Sequence, residues 1–202
     1  MNIRDVNFVA SFAKESTCPT DARPEFAFIG RSNVGKSSLI NMLCNKKGIA
    51  KVSVTPGKTQ LLNYFEINGE WYLVDLPGYG YARASKDKQA GFSKMIRTYL
   101  SVRQSLVLAF VLIDIRHELQ KIDQQFLEWC STNEVPFCMV FTKADKLGRS
   151  QVDSNVQAIR IELLKTWHSL PPHFVTSSET KLGRDEILAY IDGIIKSVTA
   201  QN

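Results

Sequence analysis

A chain of 202 residues, 44% hydrophobic and 22% charged, is long enough for one domain that buries a sheet between helices. No run approaches 18 consecutive apolar residues, which excludes a membrane-spanning helix, and the opening Met1-Asn2-Ile3-Arg4-Asp5 lacks the basic-then-apolar order of a secretory leader. The formal net charge is +5, and the four cysteines (Cys18, Cys44, Cys130, Cys138) and three histidines (His117, His168, His173) are too scattered for a disulfide framework or a zinc site.

Residues 1–24 form an arm in which Val6, Phe8, Val9 and Phe12 offer apolar groups for an extra strand or turn, without visible chemistry. A single domain is expected over 25–202. It opens with Glu25-Phe26-Ala27-Phe28-Ile29, a short apolar run that reads as a buried strand ending at Gly30. A helix is predicted from Lys36 to Lys46, with Leu39, Ile40 and Leu43 at helical spacing. Strands over Leu61–Ile67 and Glu70–Asp75 flank Asn68-Gly69, a hairpin signal that calls for positive φ at both turn residues. These two strands are antiparallel, so the sheet is mixed.

A helix from Lys88 to Arg103 is followed by the continuous apolar run Leu106–Asp114, the pattern of a central strand buried on both faces. A helix over Ile122–Thr132, a strand over Pro136–Phe141 and a longer helix over Ser150–His168 come next, the last stopped by Pro171-Pro172. A strand over His173–Thr176 and an amphipathic helix over Leu182–Val198 close the chain. The alternation predicts a three-layer α/β fold. Its sheet is mixed and mostly parallel, with six strands, one of them antiparallel, and helices on both faces.

Gly30-Arg31-Ser32-Asn33-Val34-Gly35-Lys36-Ser37 matches G-x-x-x-x-G-K-[ST] and sits where that motif works, between a strand and a helix. The glycines let successive backbone N–H groups curl around phosphates, and the helix N-terminus adds its dipole. Lys36 is expected to reach the β- and γ-phosphates, and the Ser37 hydroxyl to ligate Mg²⁺. Asp75-Leu76-Pro77-Gly78 follows a strand. The carboxylate there can hold Mg²⁺ through a water, and Gly78 can bring its N–H to the γ-phosphate. Taken alone, D-x-x-G is a common turn sequence.

Thr142-Lys143-Ala144-Asp145 ends another strand. An aspartate there can accept from guanine's ring N–H and exocyclic amine, whereas adenine would set a lone pair against the carboxylate. Lys143 can lay its stem on the purine face. Thr176-Ser177-Ser178 ends the last strand, where backbone amides and hydroxyls can meet the guanine oxygen. Singly, each tripeptide also reads as a helix-capping turn. In this order at successive strand ends, the set predicts a P-loop GTPase fold.

The fuller pattern Thr55-Pro56-Gly57-Lys58-Thr59-Gln60, Asp75-Leu-Pro-Gly-Tyr-Gly-Tyr81 and Thr142–Asp145 resembles the bacterial EngB (YihA/YsxC) family over nearly the whole chain. That resemblance implies GTP and GDP binding with Mg²⁺, a role in assembling the large ribosomal subunit, and a link to cell division and septum formation. It also implies that Gly57, Lys58, Thr59, Gln60 and Leu61 belong to the nucleotide site. Within it Thr59 joins Ser37 as a Mg²⁺ ligand, with Thr55 its competitor, and Lys36, Thr59 and Gly78 serve catalysis.

Two positions depart from the common GTPase pattern. Thr142 replaces the usual asparagine, giving one hydroxyl donor where an amide bridges. Tyr79 replaces the glutamine that orients the attacking water, so slow intrinsic hydrolysis is expected. Asn33 suggests K⁺ held against the phosphates, as in some related GTPases; a hydrogen bond within its own loop is the plainer reading.

Charge is concentrated in two places. Lys46–Lys58 holds four lysines and no acid, and Tyr79–Ser105 holds six basic residues and one acid, Asp87, leaving 15 basic and 19 acidic residues elsewhere. A basic surface on segments that respond to the γ-phosphate suits ribosomal RNA, with Tyr79, Tyr81 and Phe92 available for base stacking. Against this stands an ordinary solvated helix face with its aromatics turned inward. A protein-partner switch in division or signalling is the alternative function, and a small-metabolite kinase a third class. A cytoplasmic monomer without membrane contact is expected.

Overall fold

The computed structural model describes residues 1–50, 61–79 and 86–200, with 86–93 described by backbone alone. Among these residues seven strands form one sheet: β1 (Val6–Phe12), β2 (Glu25–Gly30), β3 (Leu62–Ile67), β4 (Trp71–Asp75), β5 (Leu106–Asp114), β6 (Phe137–Thr142) and β7 (His173–Val175). Among the described residues five α-helices accompany them: α1 (Lys36–Leu43), α2 (Lys86–Val102), α3 (Lys121–Thr132), α4 (Arg149–Leu164) and α5 (Arg184–Thr199). The strand order is β1-β3-β4-β2-β5-β6-β7. Only β3 runs against the rest, pairing antiparallel with β1 and β4, while β4-β2-β5-β6-β7 are parallel.

The expected count of six strands is corrected to seven, because the arm supplies β1 as an edge strand on β3. The hairpin turn explains why the arm docks there. Asn68 and Gly69 have φ of 52° and 71°, and Glu70 N–H closes the turn on Ile67 O at 2.9 Å. The Asn68 side chain then accepts from Arg4 N–H at 2.8 Å and donates to Asn2 O at 2.9 Å, so the turn also holds the chain's beginning.

Alternation along the strands sorts two cores. Ala27, Ile29, Val111 and Ile113 face α2, α3 and α4 through Tyr99, Leu127 and Ile159. Phe26, Phe28, Phe110 and Leu112 face α1 and α5 through Leu39, Ile40, Ile187 and Ile191. β5 is buried on both faces, as its unbroken apolar run predicts. α4 ends at Leu164, well before Pro171. Trp167, whose N–H still reaches Leu163 O at 3.0 Å, meets Phe137 edge-on at 6.1 Å just past the helix end. All four cysteines are free and buried.

Candidate functional site

In a parallel sheet the strands deliver their C-terminal residues to one edge. Here β2 brings Gly30, β4 Asp75, β5 Asp114, β6 Thr142 and β7 Val175 to that edge. Registers Phe28 against Asp75, Gly30 against Leu112, and Asp114 against Thr142 fix the arrangement. Gly30 cannot be larger: a Cβ there would lie 2.9 Å from Leu112 O and from the Val34 side chain. After Arg31, Ser32, Asn33 and Val34, Gly35 caps α1 with φ of 106°, a left-handed value suited to glycine. Lys36 and Ser37 then start the helix at its positive end.

The second segment is stitched to this loop first through its backbone. Leu76 N–H donates to Phe28 O at 3.0 Å and Tyr79 N–H to Gly30 O at 3.2 Å, which places Pro77 and Gly78 beside the loop. Lys36 Nζ pairs directly with Asp75, both side chains nearly buried. Gly57, Lys58, Thr59 and Gln60 lie outside the described residues, and Leu61 is partly exposed just ahead of β3.

The third segment leaves β6. Thr142 is buried, and its hydroxyl donates to Val34 O at 2.6 Å and lies 3.3 Å from Ile113 O. Lys143 takes a left-handed φ of 64°. Its Nζ donates to Asn33 O at 2.7 Å and pairs with Asp114 at 2.8 Å. Ala144 is held by its N–H to Thr176 O at 3.1 Å. Asp145 accepts from the Ser177 hydroxyl at 2.7 Å and pairs with Lys146 at 3.0 Å; these contacts, the Ser177 bond foremost, lower its pKa. Thr176 and Ser177 are buried, and Ser178 follows in the turn. Loop and base segment are therefore joined by the protein's own hydrogen bonds.

Residues 25–143 match the family model described as "50S ribosome-binding GTPase". Relatives named "Probable GTP-binding protein EngB" include one from Christiangramia forsetii, 52% identical over 98% of this chain and 100% of that protein. Another, from Porphyromonas gingivalis strain W83, is 55% identical over 96% of each. The chain belongs to the EngB family. Two solved structures share the fold. One is titled a probable GTP-binding protein EngB, with TM-score 0.67, 21% identity and coverage of 86% of this chain and 99% of that one. The other is Era in complex with MgGDPNP and a 16S ribosomal RNA segment, with TM-score 0.63, 22% identity and coverage of 83% and 55%.

As an EngB-family protein the chain is a GTP-binding GTPase, a nucleotide-dependent switch. The donor set at the loop fits Mg²⁺: Ser37 and Asp75 offer hard oxygens. Among the described residues no group of three or more His, Cys, Asp or Glu could hold a metal alone, so phosphate oxygens and water would complete the shell.

In this EngB-family chain three carboxylates matter that sequence reasoning missed. Asp114, at the end of β5, is buried. Burial works against its charge, yet hydrogen bonds from Arg116 (2.9 Å) and Lys143 outweigh it and hold the carboxyl far below the usual carboxylate range. A carboxylate at a strand's C-terminal end was its one sequence signal, the same that marked Asp75. Asp123, in the first turn of α3, is completely buried and receives Arg31 Nε at 2.8 Å and the Tyr79 hydroxyl at 2.9 Å. Glu25 is completely buried at the other end of β2, where it accepts from Tyr64, Tyr99 and Arg103.

These contacts correct parts of the expected RNA surface. The Tyr79 ring stacks on Phe126 at 4.4 Å, so it faces inward and is not offered to bases. Arg103 is 8% exposed and paired with Glu25 and Glu15, so its charge is spent internally. Lys46, Lys47, Lys94 and Arg97 are exposed. Tyr81, Arg83, Lys51 and the Phe92 side chain lie outside the described residues.

Proposed function

We propose that this EngB-family GTPase binds guanine nucleotide across the edge just described and hydrolyses GTP slowly. We propose further that it acts in assembly of the large ribosomal subunit, in the cytoplasm and as a monomer, and that normal cell division and septum formation require it. The observation that carries the nucleotide reading is the state of Asp145. A carboxylate offers about four lone-pair sites; Ser177 and Lys146 occupy two, leaving two for guanine N1–H and its exocyclic amine. Lys143, fixed at Asn33 O and Asp114, lies where its stem can cover the purine. The phosphates lie over the backbone of Gly30–Ser37, and Lys36 exchanges Asp75 for the β- and γ-phosphates. Mg²⁺, held by Ser37, Thr59 and the phosphates with Asp75 behind a water, neutralises charge that develops on the transferred phosphoryl group. Gly78 N–H meets the γ-phosphate. Tyr79 is turned to Asp123, which supports slow turnover because no side chain at that position orients the attacking water. K⁺ at Asn33 belongs to the same reading as an accelerator.

The ribosomal role draws on the family model's description, on Era's complex with ribosomal RNA, and on the exposed Lys46, Lys47, Lys94 and Arg97. Partner binding through RNA phosphates weakens steeply with salt. The inward Tyr79 and the internally paired Arg103 favour one second reading, a switch that docks on a protein without touching RNA; its binding would depend weakly on salt. The deciding experiment displaces fluorescent GDP with GTP, GDP or ATP, in parent and Asp145→Asn, and follows phosphate release in KCl and NaCl at matched ionic strength. Displacement by GTP and GDP alone, with guanine preference lost in the variant and faster turnover in KCl, is expected. Displacement by ATP would refute the base-site reading, and equal rates in the two salts the K⁺ role.

A further inference from the structure

Asp123 is a buried charge with no place in the nucleotide site. Its carboxylate is fully enclosed in the first turn of α3, where burial raises its pKa against the opposing pull of Arg31 and Tyr79. Removing a carboxylate from water costs several kcal/mol unless partners compensate. Its partners come from two different segments. Arg31 belongs to the phosphate loop and reaches it with Nε, 2.9 and 2.8 Å from the two oxygens. Tyr79 immediately follows Gly78 and donates its hydroxyl at 2.9 Å. The backbones of these same two residues are joined, forming a parallel bridge in which Tyr79 N–H reaches Gly30 O at 3.2 Å. One helical turn along α3, Phe126 stacks on the Tyr79 ring, and Trp129 continues the row beneath Arg97 of α2 at 5.3 Å.

We propose that Asp123 is a positioning residue for γ-phosphate sensing: it clamps Arg31 and Tyr79 to α3, holds the adjoining Gly78 in place, and so sets the affinity for GTP relative to that for GDP. The proposal rests on the reading that Gly78 N–H meets the γ-phosphate. GDP lacks the one group that Gly78 would meet, so slackening the clamp should weaken GTP binding and leave GDP binding nearly unchanged. A part that only stabilised the fold would lower both affinities together or neither.

The test measures Kd for GDP and for a non-hydrolysable GTP analogue, in Mg²⁺, for parent, Asp123→Asn, Tyr79→Phe and Gly78→Ala. Asp123→Asn keeps the shape and an acceptor oxygen for Tyr79 but loses the charge facing Arg31. It should weaken the analogue by about tenfold, the scale of one lost charge-assisted hydrogen bond, with GDP changed by less than about twofold. Tyr79→Phe, which deletes one hydroxyl and keeps the ring stack, should shift the ratio in the same direction by a smaller factor. It decides the matter should Asp123→Asn fail to fold. An unchanged GTP/GDP ratio in a folded variant, or a parallel fall in both affinities, overturns the proposal. If Gly78→Ala nevertheless narrows the ratio, the reading of Gly78 survives that failure. If Gly78→Ala also leaves the ratio unchanged, the γ-phosphate reading falls and the clamp falls with it.

Discussion

Thr142→Val is the substitution that tests most directly how the two halves of the site are joined. The side chains are nearly the same size, so a methyl replaces a hydroxyl without opening a cavity. The hydroxyl carries one hydrogen, and the 2.6 Å contact to Val34 O is much the shorter of its two. The residue is 4% exposed, so water does not readily replace the lost donor. Leaving a buried carbonyl without its partner costs about 1–3 kcal/mol. That bond lies wholly within the protein, so the loss should first appear as lower stability, within the same range, in urea melts. Affinity falls only as far as the loop departs from its binding shape, with a ceiling of about 5–150-fold for that energy. We expect about a tenfold weaker Kd by fluorescent GDP titration, equivalent to ~1.4 kcal/mol. Preference for guanine over adenine should persist, because Asp145 and Ser177 are untouched. Thr142→Ser keeps the hydroxyl and should stay close to the parent. A Val variant that melts and binds GDP like the parent would refute the claim that this hydroxyl joins the base segment to the phosphate loop.

Two further expectations concern buried charge. Arg103→Ala strands the Glu25 carboxylate among Tyr64 and Tyr99 and should cost about 3–5 kcal/mol by urea denaturation; the double variant Glu25→Gln, Arg103→Met should recover a large part of it. Asp114 should shape the acid limb of stability. Its folded-state pKa lies far below the ordinary 3.8, so its contribution is complete above that value and is lost as pH falls toward the folded-state pKa. Thermal melts from pH 2 to 7 should therefore show a flatter acid limb for Asp114→Asn. Asp123, raised by burial, contributes with the opposite sign, so Asp123→Asn should not flatten it. A flattening by Asp123→Asn, or none by Asp114→Asn, would contradict these assignments.

What the sequence discloses follows from how local each cause is. The phosphate loop was readable because its conformation is set within eight residues by Gly30, Gly35 and the helix that Lys36 begins. The Asn68-Gly69 turn and the apolar run of β5 are local in the same sense. β1 was half legible: Val6, Phe8, Val9 and Phe12 do not alternate. The structure gives the reason, a register shift between Phe8 and Ala10, since a bulge moves later residues to the opposite face. Thr142 was readable as a departure, but its acceptor at Val34 lies 108 positions away and no spacing announces it.

The carboxylates Glu25 and Asp123 were hidden for a sharper reason: each resembles something ordinary. Glu25 stands at a strand's start like any edge acid, and Asp123 sits in a helix's first turn, where an acid complements the dipole. Their partners Arg103 and Arg31 lie 78 and 92 positions away. Arg103 misleads the charge count as well, since it looks like part of a basic surface until its pairing is seen. Buried charge is costly, and each of these carboxylates ties together segments that packing alone would leave independent. Glu25 joins the arm, β2, β3 and the end of α2 through Arg103, Tyr64 and Tyr99. Asp123 joins the phosphate loop to the Gly78 segment. A switch needs parts that move relative to one another from fixed anchors, and these two clusters lie at the boundaries of the segment between β4 and β5, one where it leaves the nucleotide edge and one where it rejoins the sheet.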